Sequence, residues 1–238
     1  MEAQYPREVN AIDPDQGQGH TSRVRVTDKS QLLCATDLGQ WKTPRSMSHR
    51  KSYSIPGQVH FLTFSCFQRR PFLLEQSPCR ILAQSLDEAR AIEHFDIWAY
   101  VFMPEHVHLL IRPTHDVYDM AAILRRIKEP VSRRVLGLWR QSTPDRLVEA
   151  ADTTAGPVSH RFWQPGGGFD RNIFDPDTIR KAIDYVEWNP VRRRLVTDPL
   201  GWEWSSARAR AGGTHVPFIV DPVTWEPSSD EGIVRGTH

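Results

Sequence analysis

Two short stretches of the chain carry side chains that could do chemistry. The first is Pro104-Glu105-His106-Val107-His108-Leu109-Leu110-Ile111. Residues i and i+2 of a strand project from the same face, so His106 and His108 stand together while Val107 enters the opposite side. Two neutral imidazoles on one rigid face can chelate a divalent metal. The same spacing also arises incidentally, and the pair alone does not decide between the two. The second stretch is Asp184-Tyr185-Val186-Glu187-Trp188-Asn189-Pro190-Val191. On a helix Tyr185 and Asn189 are i and i+4 and share a face. By itself such a tyrosine reads as an amphipathic packing residue, and the asparagine as a helix C-cap ahead of proline.

The elements that must position these residues can be read from periodicity. Residues 59–67 are β-branched and aromatic and predict a strand that ends at Gln68-Arg69-Arg70. Pro78 suits the first turn of a helix that runs through Ile81, Leu82, Leu86, Ala89 and Ile92 to about His94. Residues 97–103 and 107–111 are apolar runs on either side of Pro104 and Glu105, giving an antiparallel pair or two strands broken by a bend. Asp116 is expected to open a second amphipathic helix, with Pro130 a kink point, and residues 141–160 read as loop. Residues 162–174 predict a strand or bent hairpin carrying Gly166, Gly167 and Gly168. Asp175 and Pro176 then start a third helix that Asn189-Pro190 should end or kink. The order βαββαβ predicts an α+β fold, a ferredoxin-like split βαβ with an antiparallel sheet and helices on one face. The tyrosine falls on a C-terminal helix.

Composition bounds the setting. The 238 residues hold 30 Lys+Arg against 29 Asp+Glu, which excludes a uniformly basic nucleic-acid protein. Cys34, Cys66 and Cys79 are odd in number and lack CxxC spacing, which argues against a disulfide framework or a cysteine-rich zinc site and suits a reducing cytoplasm. No run approaches the roughly 18 apolar residues of a membrane span, and the N-terminus has no signal pattern. A soluble cytoplasmic protein without a membrane partner is expected. Residues 1–50 are polar and aperiodic and read as a disordered leader or a spurious extension, with Met47 a natural translation start. Residues 211–238 read as an acidic, poorly ordered tail.

The near-zero charge is a sum over unlike parts. Between Asp119 and Arg140, the six basic residues Arg125, Arg126, Lys128, Arg133, Arg134 and Arg140 face two acidic ones, Asp119 and Glu129. Arg69-Arg70 follows the first strand and Arg192-Arg193-Arg194 follows the tyrosine helix, whereas residues 211–238 carry one Arg against four acids. Such runs are ordinarily solvated helix faces, but they could also contact phosphates.

Together, VFMPEHVHLLIRP and the later DYVEWNPVRRRLV resemble the IS200-type single-tyrosine (HUH, Y1) transposases, and most closely the REP-associated tyrosine transposase branch. HFLTFSCFQRRPFL, the FWQ before a glycine turn, FDRNI and GWEWSSARA support it, so the resemblance covers about residues 57–210 as one domain. It implies a metal-dependent enzyme that nicks and rejoins single-stranded DNA at hairpin-forming, REP-like inverted repeats through a 5′-phosphotyrosine. Carried onto this chain, Tyr185 is the nucleophile, and His106, His108 and Asn189 hold Mg²⁺ or Mn²⁺. Arg69, Arg70, Arg125, Arg126, Lys128, Arg133, Arg134, Trp163, Arg192, Arg193 and Arg194 would contact DNA, with bases stacked on Trp163 and Trp188. Glu187 could sit near the metal or face solvent, the second being the expectation, and the triple glycine looks looser than the family's usual turn. The active unit would be a monomer or a homodimer. A catalytically silent hairpin-binding relative is the alternative. A zinc hydrolase built on the histidine pair ranks lower, because the chain has no HExxH helix.

Overall fold

The computed structural model describes residues 54–154 and 156–224. The expected leader and the start at Met47 lie outside these residues. A four-stranded antiparallel sheet has the order β2-β3-β1-β6. Its strands are β1 (Val59–Ser65), β2 (Phe95–Met103), β3 (His106–Pro113) and β6 (Phe169–Ile173). Helix α1 (Gln76–Glu93) crosses from β1 to β2, and α2 (Met120–Ser142) from β3 toward β6, which makes the split βαβ. Between α2 and β6 the chain forms α3 (Pro144–Glu149) and a two-stranded hairpin of β4 (Ala151–Asp152) and β5 (Ser159–His160), where a loop was expected. These pieces are too short to show a period, which is why composition alone reads as loop. After β6 come α4 (Pro176–Glu187), α5 (Asn189–Arg192) and α6 (Ala207–Arg210). Among the described residues no helix is long and apolar enough to cross a membrane.

Strand alternation divides the core in two. Leu62, Phe64, Val107, Leu109 and Ile111 face α1 and α2, together with Leu82, Leu86, Ile123, Ile127 and Val131. Val59, Phe61, Val101, Met103 and Leu110 face the other way, against Ile179, Ala182, Ile183 and Val186 of α4. The cover on one face therefore describes α1 and α2, whereas the tyrosine helix lies on the opposite face. Burial on both sides explains why β2 and β3 read as nearly continuous apolar runs. A register shift between Ile97 and Ala99 turns both Trp98 and Ala99 toward α4.

Local signals set the helix ends. Asp119, not Asp116, caps α2, its Oδ1 accepting from Ala121 N at 2.8 Å. The helix continues past Pro130 to Ser142. Asp175 caps α4 by accepting from Thr178 N at 2.8 Å, with Pro176 in the first turn.

Strand β2 lies at the edge of the sheet, and the C-terminal part of the chain seals it. Phe102 N donates to Trp204 O at 2.8 Å, and Ser206 N to Tyr100 O at 2.9 Å. The segment expected to begin a poorly ordered tail is docked through residue 224. Phe218 stacks on Tyr100 at 4.3 Å between centroids, Asp221 N donates to Ile97 O at 2.9 Å, and Asp221 Oδ2 accepts from Ile97 N at 2.8 Å. One buried aromatic and one carboxylate aimed at an edge strand suffice to hold a stretch whose composition is that of a tail.

The triple glycine is tighter than its composition suggests. Gly168 has φ +86, and a Cβ there would run into the Thr63 carbonyl oxygen and lie 3.1 Å from Phe64 Cβ. Gly166 has φ +93 but open space around it. Gly168→Ala is therefore expected to cost more than the roughly 1–3 kcal/mol of left-handed strain alone, and Gly166→Ala only that strain. Urea denaturation of the two variants checks the difference.

Candidate active site

The site is assembled on the face of the sheet that α4 covers. His106 and His108 lie in β3 opposite Ser65 and Thr63 of β1. Both are buried, and their Nε2 atoms are 3.0 Å apart. His108 Nδ1 lies 2.7 Å from Thr63 Oγ1. Burial first, and the neighbouring His106 second, push the His108 pKa well below the ordinary histidine value, so the ring is neutral at physiological pH, the form that binds metals.

Tyr185 comes from α4. Its ring lies 5.5 Å from that of His108 and 5.9 Å from that of Phe61, edge-to-face in both cases. The Arg192 guanidinium stands 5.0 Å above the tyrosine ring while donating to Tyr185 O at 2.9 Å. Asn189 is buried at the start of α5, one turn past the tyrosine, because α4 stops at Glu187 and Pro190 starts the next short helix.

Glu105, in the two-residue turn between β2 and β3, was not singled out from the sequence. Its Oε1 lies 3.2 Å from His106 Nδ1, 3.1 Å from a guanidinium nitrogen of Arg193 and 3.6 Å from one of Arg69. Burial alone would raise its pKa, but His106 and Arg193 outweigh that and hold it at about 2. Arg69 and Arg193 thus form a cationic rim beside the histidines, with Arg192 next to Tyr185. Arg70 and Arg194 are exposed in the same two segments.

The basic residues of α2 are not brought to this site, since their helix packs on the other face. Arg126 Nε donates to Glu93 at 2.9 Å and Arg134 to Gln84 at 2.7 Å, tying α2 to α1, while Arg125 and Arg133 are exposed. Lys128 departs from its expected role, because its Nζ donates to Gly166 O at 2.7 Å, and burial lowers its pKa. Trp163 also departs from expectation. It is 6% exposed, packs edge-to-face on Phe64 and Phe162, and donates Nε1–H to Lys128 O at 3.0 Å, so no base can stack on it without opening the core. Trp188, 47% exposed, keeps a free face. Glu187 does not face solvent. It is buried and accepts from Ser206 Oγ at 2.7 Å and Arg210 Nε at 2.9 Å, which anchors the end of α4 to the edge-sealing segment. Cys66 and Cys79 are free and buried, with their pKa values raised by desolvation.

The donor set fits a divalent cation. Neighbouring donors on an octahedral ion with bonds of about 2.1 Å are separated by roughly 3 Å, close to the 3.0 Å between the two Nε2 atoms. Among the described residues no three His, Cys, Asp or Glu side chains cluster as a metal site; the resemblance implies the amide of Asn189, buried one turn past Tyr185, as a further donor.

A histidine pair on the central part of a split βαβ sheet, faced by a tyrosine on the helix after β6, is the arrangement that the resemblance to IS200-type single-tyrosine transposases leads one to expect. No family profile matches the chain. The REP-associated tyrosine transposase of Escherichia coli (strain K12) is 25% identical over 162 residues, covering 67% of this chain and 82% of that protein. A solved REP-associated tyrosine transposase bound to a REP hairpin shares the fold, with a TM-score of 0.54 and 24% identity over 79% of this chain and 99% of that one. The chain is thus similar in sequence to REP-associated tyrosine transposases and shares the fold of one of them.

Proposed function

We propose that this protein is a metal-dependent transposase that nicks and rejoins single-stranded DNA at hairpin-forming repeats through a 5′-phosphotyrosine. The observation that carries the reading is the convergence of the two Nε2 atoms, 3.0 Å apart, beneath a tyrosine ring 5.5 Å from His108. The REP hairpin bound by the relative of the same fold supports a hairpin substrate.

His106, His108 and Asn189 would hold a Mg²⁺ or Mn²⁺ ion, which would supply Lewis-acid polarisation of a phosphate oxygen. Tyr185 Oη attacks phosphorus as the P–O3′ bond breaks, giving a phosphotyrosine on the 5′ side and a free 3′-hydroxyl. Attack by a 3′-hydroxyl on that ester releases the tyrosine, so the bond energy is kept for rejoining. Arg69, Arg192 and Arg193 meet the phosphates flanking the scissile one, and Trp188 gives an unpaired base a surface to stack on. The test is incubation of single strands carrying REP-like hairpins with Mg²⁺, followed by a denaturing gel. A covalent protein–DNA adduct is the expected result. Binding without an adduct would replace the reading by a catalytically silent hairpin-binding protein.

The two tryptophans separate by experiment. Trp188→Ala is expected to weaken single-strand binding by about 1–3 kcal/mol and leave thermal stability nearly unchanged. Trp163→Ala is expected to lose about 3–5 kcal/mol of folding stability. Filter binding and thermal melts of the pair measure both.

A further inference from the structure

Strand β1 runs into a turn that its residue types do not favour. Gln68 has φ +51 and Arg69 φ +54, so two consecutive residues other than glycine sit in the left-handed region. Gln and Arg lack the short polar side chain that eases Asn and Asp into that region, so each carries a cost that its surroundings must offset. Two bonds close the turn on itself: Arg69 N donates to Cys66 O and Arg70 N to Phe67 O, both at 3.0 Å. A further bond comes from a segment distant in sequence, where Gln164 Oε1 accepts from Gln68 N at 3.0 Å. A backbone N–H can only donate, so the amide must present its oxygen to Gln68. Gln164 is itself set in place by the backbone, since Gln164 N donates to Ser65 O and Phe67 N to Phe162 O, both at 2.9 Å.

The turn stands beside the histidine site. Ser65, at the end of β1, lies opposite His106, and Cys66 N donates to the Glu105 carbonyl at 2.9 Å. From the turn, the exposed Arg69 side chain reaches back until a guanidinium nitrogen lies 3.6 Å from Glu105 Oε1. One ion pair of that length on an exposed side chain holds it only weakly, so the direction of Arg69 is set chiefly by the backbone at its own Cα. Gln164 is exposed as well, and its amide is not part of the core. We propose that Gln164 is a positioning residue: by pinning the Gln68 amide it keeps the Gln68-Arg69 turn left-handed, and so holds the Arg69 guanidinium on the rim of the site ready for a DNA phosphate. A side chain ordered in advance loses less freedom on binding, so the pin acts on affinity.

The part of Arg69 in DNA binding rests on the function proposed above, so the test reads the pin and its consequence separately. In the full chain without DNA, Gln164→Met, similar in length but without the acceptor, should speed hydrogen exchange of the Gln68 amide about tenfold. Gln164→Glu keeps an acceptor oxygen and should restore the slow exchange. With a single-stranded REP-like hairpin as the probe, Gln164→Met should weaken binding about 2–10-fold, the cost of ordering one long side chain anew. In an Arg69→Ala background the same substitution should change binding little, because no guanidinium is left to place. A residue that merely props the fold would weaken binding equally in both backgrounds. Gln164→Ala repeats each measurement should the methionine variant fail to fold. Unchanged exchange at Gln68, or equal weakening with and without Arg69, would overturn the proposal and, with wild-type binding intact, leave the function standing. A wild type that binds no hairpin would overturn that function and with it the role of Gln164 at DNA.

Discussion

Tyr185→Phe is expected to abolish the covalent DNA adduct while the protein still folds and binds hairpin DNA. The substitution removes one oxygen and keeps the ring, whose edge-to-face contacts with Phe61 and His108 and whose place under Arg192 depend on the aromatic face. Losing a nucleophile that acts as a unit with its neighbours costs on the order of 10⁴-fold or more in rate. A denaturing gel for the adduct, a gel shift for binding and a thermal melt measure the three quantities. An adduct of wild-type yield in Tyr185→Phe would move the nucleophile elsewhere.

His108→Ala should produce the second large loss, in metal affinity. Removing a direct ligand ought to exceed the about 10–100-fold typical of outer-shell partners, and cleavage should fall with it. The variant also leaves Thr63 Oγ1 without its partner at 2.7 Å and a gap beside Phe61, whose ring stacks on His108 at 5.5 Å between centroids. A stability loss of about 1–3 kcal/mol should accompany it. Calorimetric Mn²⁺ titration with a parallel melt separates the two effects. On the proposed function, binding of hairpin DNA would draw on the rim arginines and Trp188, so it should survive at low metal, and a binding loss as large as the metal loss would count against the assignment.

Much of this arrangement was legible in the residues. The period-2 placement of His106 and His108, the i, i+4 relation of Tyr185 and Asn189, Pro78 in the first turn of α1 and the cap at Asp175 are local rules, satisfied within a few residues of chain. The βαββαβ order likewise leads to the split βαβ, since two crossovers over an antiparallel sheet leave few alternatives. Where the reading went astray, the deciding contact was distant in sequence. Trp163 looked like a stacking surface because an aromatic beside glycines is ambiguous, until Phe64 and the Lys128 carbonyl enclose it. Glu187 looked solvent-facing beside a tyrosine, until Ser206 and Arg210 claim its carboxylate. The α2 arginines and the tyrosine site occupy opposite layers, which a charge count along the chain cannot resolve.

The near-neutral sum of 30 basic and 29 acidic residues therefore says little, and the position of each charge a great deal. Residue type and short-range spacing were enough to put the two histidines on one strand face and Tyr185 and Asn189 on one helix face, because strand and helix periods are properties of the backbone alone, whereas their expected roles came from the resemblance carried by the two motifs together. Tertiary structure decided that α4 lies over the histidine face, that Thr63 stands opposite His108, and that Glu105 gathers His106, Arg193 and Arg69. Those outcomes depend on strand register and on packing between segments up to about a hundred residues apart, where side-chain shape and the burial of polar groups, rather than local period, select one arrangement.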